Sequence, residues 1–313
     1  MSLREVEFTS SNQRDTVYGW IYEPVRPARG IVQLIHGLGE HSRRYLPLIT
    51  ALLDAGFVVA ADDHAGHGKT AMTSGIWADA GDHADRVVVV DERTLRSITR
   101  ELHPDLPYVI FGHSWGSMIA RGLVSGDSEQ VDGLILCGIA AGIHGIENLL
   151  DRQALSAEAD TEAPAPEAYV ASMFDGFIAR YEPGSGPTAW VARDPDVVRD
   201  HAVDPLNNFG APMSVRFLAG FVDLYDAANA DEWYPSVRGD LPVLILAGDA
   251  DPVTGFGEGA YRVANQLVRT GHGDVRTRVY TGFRHEVHNE PEISGDVARE
   301  IIDFASRCVA RPT

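Results

Sequence analysis

The chain has 313 residues, 44% hydrophobic and 23% charged, so it can bury a sizeable core, and disorder of the whole chain is excluded. Lysine and arginine number 26 against 45 aspartates and glutamates, a net charge of −19, so no nucleic-acid partner is expected and the field repels anionic surfaces and substrates at long range. Residues 1–15 carry no apolar h-region, no run approaches 18 apolar residues, and the two cysteines, Cys137 in an apolar run and Cys308 late in the chain, make no disulfide framework; the expectation is a cytoplasmic protein with no signal peptide and no stable membrane insertion.

In chain order, Glu5–Phe8 and Thr16–Ile21 alternate as strands do, and Gly30–Ile35 is a short apolar strand ending in His36-Gly37. An amphipathic stretch over roughly 43–55 follows, then a strand at Phe57–Ala61, a helix over roughly 84–103, a strand at Tyr108–Phe111, a helix, and a strand at Gly133–Cys137. The rhythm resumes with a strand at Pro242–Ala247, a helix near 257–270, a strand at Val275–Tyr280 and a last helix near 292–308. Near-continuous apolar strands alternating with helices predict a mostly parallel, eight-stranded α/β sheet covered on both faces. Between them, residues 142–240 are Ala/Glu/Pro-rich at 154–168 and scattered with aromatics, with no evident strand. Three segments are therefore expected: a core over 1–141, a mainly helical cap or lid over 142–240, and the rest of the core over 241–313.

The run Gly112-His113-Ser114-Trp115-Gly116 follows an apolar strand and precedes Met118-Ile119-Ala120-Arg121 in helical register. That context is what a nucleophile elbow demands: a sharp strand-to-helix turn, glycines where side chains would clash, and a serine at the positive end of a helix. A serine hydroxyl needs a base, and the base an acid, in the chain order Ser, Asp or Glu, His. His285 lies just after the last strand. Asp249 and Asp251 follow the strand before it, and Asp251, further into the loop, is the better acid, with Asp249 left to support the turn. The oxyanion of an acyl-transfer intermediate needs two N–H donors, assigned to Trp115 and to Leu38 in His36-Gly37-Leu38-Gly39-Glu40. The pairs His64/His67 and His285/His288 have a ligand-like spacing, but the first sits in a turn and no cysteine pair or third ligand is evident. No metal site and no cofactor are expected.

The motifs His36-Gly37-Leu38-Gly39-Glu40-His41-Ser42-x-Arg44-Tyr45, Asp63-His64-x-Gly66-His67-Gly68, Gly112-His113-Ser114-x-Gly116, Gly248-Asp249-Ala250-Asp251-Pro252-Val253 and Arg284-His285-Glu286 together resemble the monoacylglycerol lipase and lysophospholipase-like group of α/β-hydrolases, S33-like serine hydrolases. The resemblance covers about 30–140 and 240–300. It implies the α/β-hydrolase fold, Ser114, Asp251 and His285 as the triad, and Glu40, Arg44 and His288 at a polar head-group site; an ion pair between Glu40 and Arg44 is the competing structural reading. It further implies a carboxylic ester hydrolase acting through an acyl-enzyme, on monoacylglycerol or lysophospholipid-like esters. A small-molecule carboxylesterase, lactonase or thioesterase with the same triad is the alternative within enzymes, and a catalytically silent ligand receptor the alternative outside them. The chain departs from the group's pattern at Trp115, where a methionine is usual, and at Ser117, where a glycine is; the cap shows little similarity. Of the cap's aromatic and aliphatic residues, from Tyr169 to Phe221, a minority are expected to line an acyl tunnel. Sequence does not give the oligomeric state.

Overall fold

The computed structural model describes residues 2–310; of the segments expected to form the core, Met1 and 311–313 lie outside the described residues. In chain order the strands and helices are β1 (Ser2–Thr9), β2 (Thr16–Glu23), β3 (Gly30–Ile35), α1 (Leu46–Asp54), β4 (Phe57–Asp63), α2 (Gly68–Ser74), α3 (Ala84–Leu102), β5 (Tyr108–His113), α4 (Trp115–Val124), β6 (Gly133–Cys137), α5 (His144–Asn148), α6 (Arg152–Ser156), α7 (Glu167–Met173), α8 (Pro195–Val203), α9 (Val215–Asn229), α10 (Trp233–Ser236), β7 (Val243–Gly248), α11 (Glu258–Arg269), β8 (Val275–Tyr280) and α12 (Ser294–Val309).

The eight strands form one sheet in the order β1-β2-β4-β3-β5-β6-β7-β8. β2 runs antiparallel to β1 and β4, and the remaining neighbours are parallel. This is the α/β-hydrolase sheet, as the sequence implies. Every residue of β3, β4, β5, β6 and β7 is buried, because helices cover both faces. Alternate side chains go to opposite sides. Ile31, Val58, Ile110, Leu134 and Ile245 share one core with α3, α4 and α11, whereas Val32, Val59, Val109, Ile135 and Leu244 share the other with α1 and α12. Each such side chain contributes roughly 1.5–3 kcal/mol of burial, which fixes the register because a one-residue slip would exchange the two cores.

Two local outcomes refine the sequence reading. The stretch near 43–55 divides into a 3₁₀ turn at Ser42–Tyr45 and α1, with Pro47 in the first turn of α1 where its missing N–H costs nothing. The short helix α2 has only Ala71 and Met72 as apolar residues and gives no periodic signal. Between β6 and β7 the described residues form helices α5–α10 and one isolated bridge, Pro164 to Ser214. The loops that follow β3, β5, β7 and β8 all leave the carboxyl edge of the parallel strands, where such sheets gather their reactive groups.

Candidate active site

Ser114 is the residue between β5 and α4, and its backbone sits at φ 57°, ψ −122°. That conformation costs a non-glycine residue about 1–3 kcal/mol and persists only where the surroundings over-determine it. Here they do. The Ser114 N–H donates to the Cys137 carbonyl at 3.0 Å. A Cβ on Gly112 would lie 2.3 Å from the Gly116 carbonyl oxygen, and one on Gly116 would lie 2.2 Å from that of Ile35. Ser117 adds a clamp that the motif does not contain: its hydroxyl donates to the Ser114 carbonyl at 2.5 Å and accepts from the Ala140 N–H at 3.0 Å. The departure from glycine at 117 therefore braces the turn. As the first residue of α4, Trp115 has an N–H without an intrahelical acceptor, beside the serine.

The loops after β7 and β8 bring Asp251 and His285 together. His285 Nδ1 lies 2.8 Å from Asp251 Oδ2, and Asp251 Oδ1 accepts from the Val253 N–H at 2.8 Å. Asp251 is fully buried and His285 nearly so, which leaves His285 Nε2 buried without a protein partner. Burial alone would lower the His285 pKa, but the Asp251 charge and hydrogen bond outweigh it and hold it above 6.5. Asp249 is placed elsewhere: its Oδ1 accepts from the Gly282 N–H at 2.6 Å and so ties the β7 loop to the β8 loop. Gly138, at the end of β6, has no signal in the motifs, yet a Cβ there would come within 3.0 Å of both His285 and His113.

The loop after β3 lies beside the elbow. Glu40 folds back into it, with Oε1 accepting from the Gly37 N–H and the Tyr45 hydroxyl at 2.6 Å each and lying 3.2 Å from His113 Nδ1. Burial would raise the Glu40 pKa, but His113 and Arg44 pull it well below the ordinary 4.5. Gly39 has φ +69°, and a Cβ there would meet Phe209 Cα at 2.6 Å. Its carbonyl accepts from the Asn208 N–H at 3.0 Å. The loop's glycine thus admits the chain segment at 208–209.

The expected head-group trio divides. Glu40 borders the pocket in front of Ser114, and Arg44 and His288 are not among its lining residues. Arg44 reaches Glu40 at 3.3 Å and Glu286 at 2.7 Å, so the ion pair weighed from sequence is present and extends to a second carboxylate. His288 stacks on Tyr45 with centroids 4.7 Å apart and lies 3.8 Å from Cys137 Sγ. Burial holds it neutral, well below 6.5.

The pocket itself is narrow, with Leu38, Ser114, Trp115 and His285 on its walls. From the helical segment between β6 and β7 it receives Met173, Phe174, Phe177, Trp190, Phe209 and Phe221. Of the other residues singled out in that segment, Phe217 and Leu218 are fully buried in the core, and the Tyr181 hydroxyl donates to the Ala250 carbonyl at 2.6 Å. Trp115 packs against His67, Phe217 and Phe221 at 4.9–6.3 Å between centroids. It narrows the pocket as an immobile wall. Glu286, His113 and His201 also line the pocket; sequence reasoning missed them. Glu286 directly follows His285, and His113 directly precedes Ser114, but adjacency does not reveal which way a loop side chain faces.

Comparison with known proteins agrees with this architecture. The family described as serine aminopeptidase, S33 matches residues 26–292. The monoacylglycerol lipase of Mycolicibacterium smegmatis is 28% identical over 276 residues, 87% of this chain and 86% of that one. Among solved structures, a lipase in its open form is 53% identical, with TM-score 0.96, covering 99% of this chain and 100% of that one. A highly thermostable carboxyl esterase from Bacillus coagulans, in complex with glycerol, is 45% identical, with TM-score 0.95 and the same coverage.

Proposed function

The chain belongs to the serine aminopeptidase S33 family of α/β-hydrolases, and on that premise we propose that it is a carboxylic ester hydrolase with Ser114, His285 and Asp251 as its catalytic triad and a monoacylglycerol-like lipid ester as its substrate. One observation carries the reading: a buried His285, bonded through Nδ1 to Asp251 at 2.8 Å, has Nε2 free in the pocket that holds the strained Ser114.

His285 Nε2 takes the proton of Ser114 Oγ as the oxygen attacks the ester carbonyl. Asp251 holds the imidazole in the right tautomer and stabilises the imidazolium. The N–H groups of Trp115 and Leu38 receive the oxyanion, aided by the N-terminus of α4. Collapse expels the alcohol, protonated by His285, and leaves an acyl-Ser114. Water, deprotonated by the same imidazole, then releases the acid.

The apolar wall of Met173, Phe174, Phe177 and Phe221 suits an acyl chain, since such pockets gain affinity by burial and orientation from a few polar groups. Glu40 stands at the polar end and accepts from a head-group hydroxyl; behind it Arg44 pairs with Glu40, and His288 stacks on Tyr45, whose hydroxyl donates to Glu40. The presence of monoacylglycerol lipases among the relatives supports that head group. An ester fits better than the peptide of the family's description. The relatives support that choice, since they include a monoacylglycerol lipase and a carboxyl esterase.

Ser114→Ala is expected to fold normally and to lose ester turnover by roughly 10³-fold or more. Labelling by a fluorophosphonate should vanish with it. A panel of monoacylglycerols, p-nitrophenyl esters of rising chain length and an aminoacyl p-nitroanilide tests the substrate. Medium or long acyl chains should be preferred and the anilide inert; a preference for acetyl esters overturns the lipid reading and leaves the triad reading intact.

A further inference from the structure

We propose that Asp62, His64 and Glu92 form a structural site for one divalent transition-metal ion, zinc by the chemistry of its donors, behind the loop that carries Leu38. Asp62 and His64 sit at the end of β4 and just past it, and Glu92 is in the middle of α3. The sequence offered His64 no third ligand because Glu92 lies in a charged run, Asp91-Glu92-Arg93, that reads as a solvated helix face. In the fold all three side chains are within 1% of complete burial.

The geometry is that of a ligand set. His64 Nδ1 lies 3.2 Å from Asp62 Oδ1 and 3.4 Å from Glu92 Oε1, and it hydrogen-bonds neither. One donor atom from each residue lies within 4.8 Å of the others. Around a tetrahedral zinc with bonds of about 2.0–2.2 Å, neighbouring donors stand about 3.3–3.6 Å apart, and off the N–H axis, where a hydrogen bond fails. The atoms without a hydrogen-bond partner are Asp62 Oδ1 and Oδ2, His64 Nδ1 and Glu92 Oε1, so each residue has a donor to offer the ion. The remaining atoms of the same side chains are occupied. His64 Nε2 lies 3.3 Å from the His36 carbonyl oxygen. Glu92 Oε2 accepts from Gln33 Nε2, and Gln33 Oε1 accepts from the Tyr108 hydroxyl at 2.7 Å. Such outer contacts orient metal ligands: the imidazole's other nitrogen donates to a backbone carbonyl, and the carboxylate's other oxygen is hydrogen-bonded.

Charge argues the same way. Two fully buried carboxylates face one imidazole, and among the described residues no lysine or arginine pairs with Asp62 or Glu92. Holding both carboxylates ionised in this dry cavity is costly, and one divalent cation would neutralise them. The ion would pin β4 to α3. It would also fix His64, whose ring stacks on His36 at 3.9 Å, immediately before the loop bearing Leu38.

Because the site is sealed, the ion enters as the chain folds, so the test is refolding. The full chain is refolded from guanidinium with zinc or in chelator-treated buffer, passed through gel filtration, and assayed for bound metal and Tm. The expected result is about one zinc per chain and a Tm higher by on the order of 5 °C. Glu92→Gln and Asp62→Asn, refolded with zinc, should retain less than about a tenth of an equivalent. If either variant fails to fold, the wild-type comparison decides alone. No retained zinc and equal Tm in both buffers, as for two carboxyls sharing a proton, overturns the proposal. So does full zinc retention by either folded variant.

Discussion

At the residue scale, His285 is subject to opposing pressures whose balance sets when the site works. Desolvation favours the neutral ring, and Asp251 favours the charged one more strongly. In the proposed mechanism only neutral His285 accepts the Ser114 proton, so raising its pKa extends the protonated, inactive form to higher pH. The expected profile of kcat/KM therefore falls as pH drops through a pKa above 6.5, with a limiting tenfold loss per unit on the acid side. Asp251→Asn removes the charge that raises that pKa and the acceptor that fixes the tautomer. It should move the acid limb to lower pH while reducing kcat by about 10⁴-fold. A pH–rate series on wild type and Asp251→Asn checks both; an acid limb that stays put in the variant would mean that another group, not His285, is titrating. His36, His67 and His288 do not complicate this limb. Burial pushes His67 down to about 3 and holds His36 and His288 well below the ordinary 6.5.

At the element scale, the helix that follows Ser114 is tied to its surroundings by a side chain that the motif conceals. Arg121, fully buried in α4, donates to the Ala140 carbonyl at 2.6 Å, the Ala228 carbonyl at 3.0 Å, Asn229 Oδ1 at 3.1 Å and the Ser117 carbonyl at 3.2 Å. Desolvation lowers its pKa to about 10, so it remains charged at neutral pH and caps the carboxyl end of α9. Arg121→Leu keeps the apolar volume but leaves those buried acceptors unsatisfied. A loss of about 3 kcal/mol or more is expected in a urea melt, whereas Arg121→Lys should recover part of it. A change under about 0.5 kcal/mol would show that water replaces the guanidinium. Arg121 also marks where sequence reasoning stops. Each strand and the elbow were legible because their signals are local: short apolar or alternating runs, paired glycines, a serine between strand and helix. His285 and Asp251 were legible because each lies in the loop that follows a strand at the same sheet edge. Arg121 in the helix after Ser114, Glu92 in a charged helix and Phe209 against Gly39 were not, because their burial is decided by elements some 100 or more residues away, or by a helix packing on the sheet. The segment between β6 and β7 follows the same logic. It is anchored by long-range contacts such as His41 to Asp204 at 2.9 Å and Arg44 to Asp200 at 3.3 Å, which no periodicity announces.

For the whole molecule, the net charge of −19 sets what approaches the pocket before any contact is made. The pocket end adds to it, since Glu40 and Glu286 both line the pocket and share a single Arg44. A neutral lipid ester is indifferent to this field, and an anionic one is repelled over a distance set by salt. The Debye length falls from about 30 Å at 0.01 M to about 10 Å at 0.1 M, so the long-range part of the repulsion is largely removed over that range. With a neutral monoacylglycerol, kcat/KM should be flat between those concentrations. With a lysophospholipid of the same acyl chain and a net negative head group, it should be lower at 0.01 M and rise by roughly a few-fold at 0.1 M, since electrostatic steering acts on encounter and local concentration. Both substrates must be below their critical micelle concentrations, so that the comparison concerns single molecules. A parallel rise with both would point to a salt effect on the pocket itself. A flat response to the anionic ester would mean that the acidity serves only solubility and leaves substrate choice to the pocket walls.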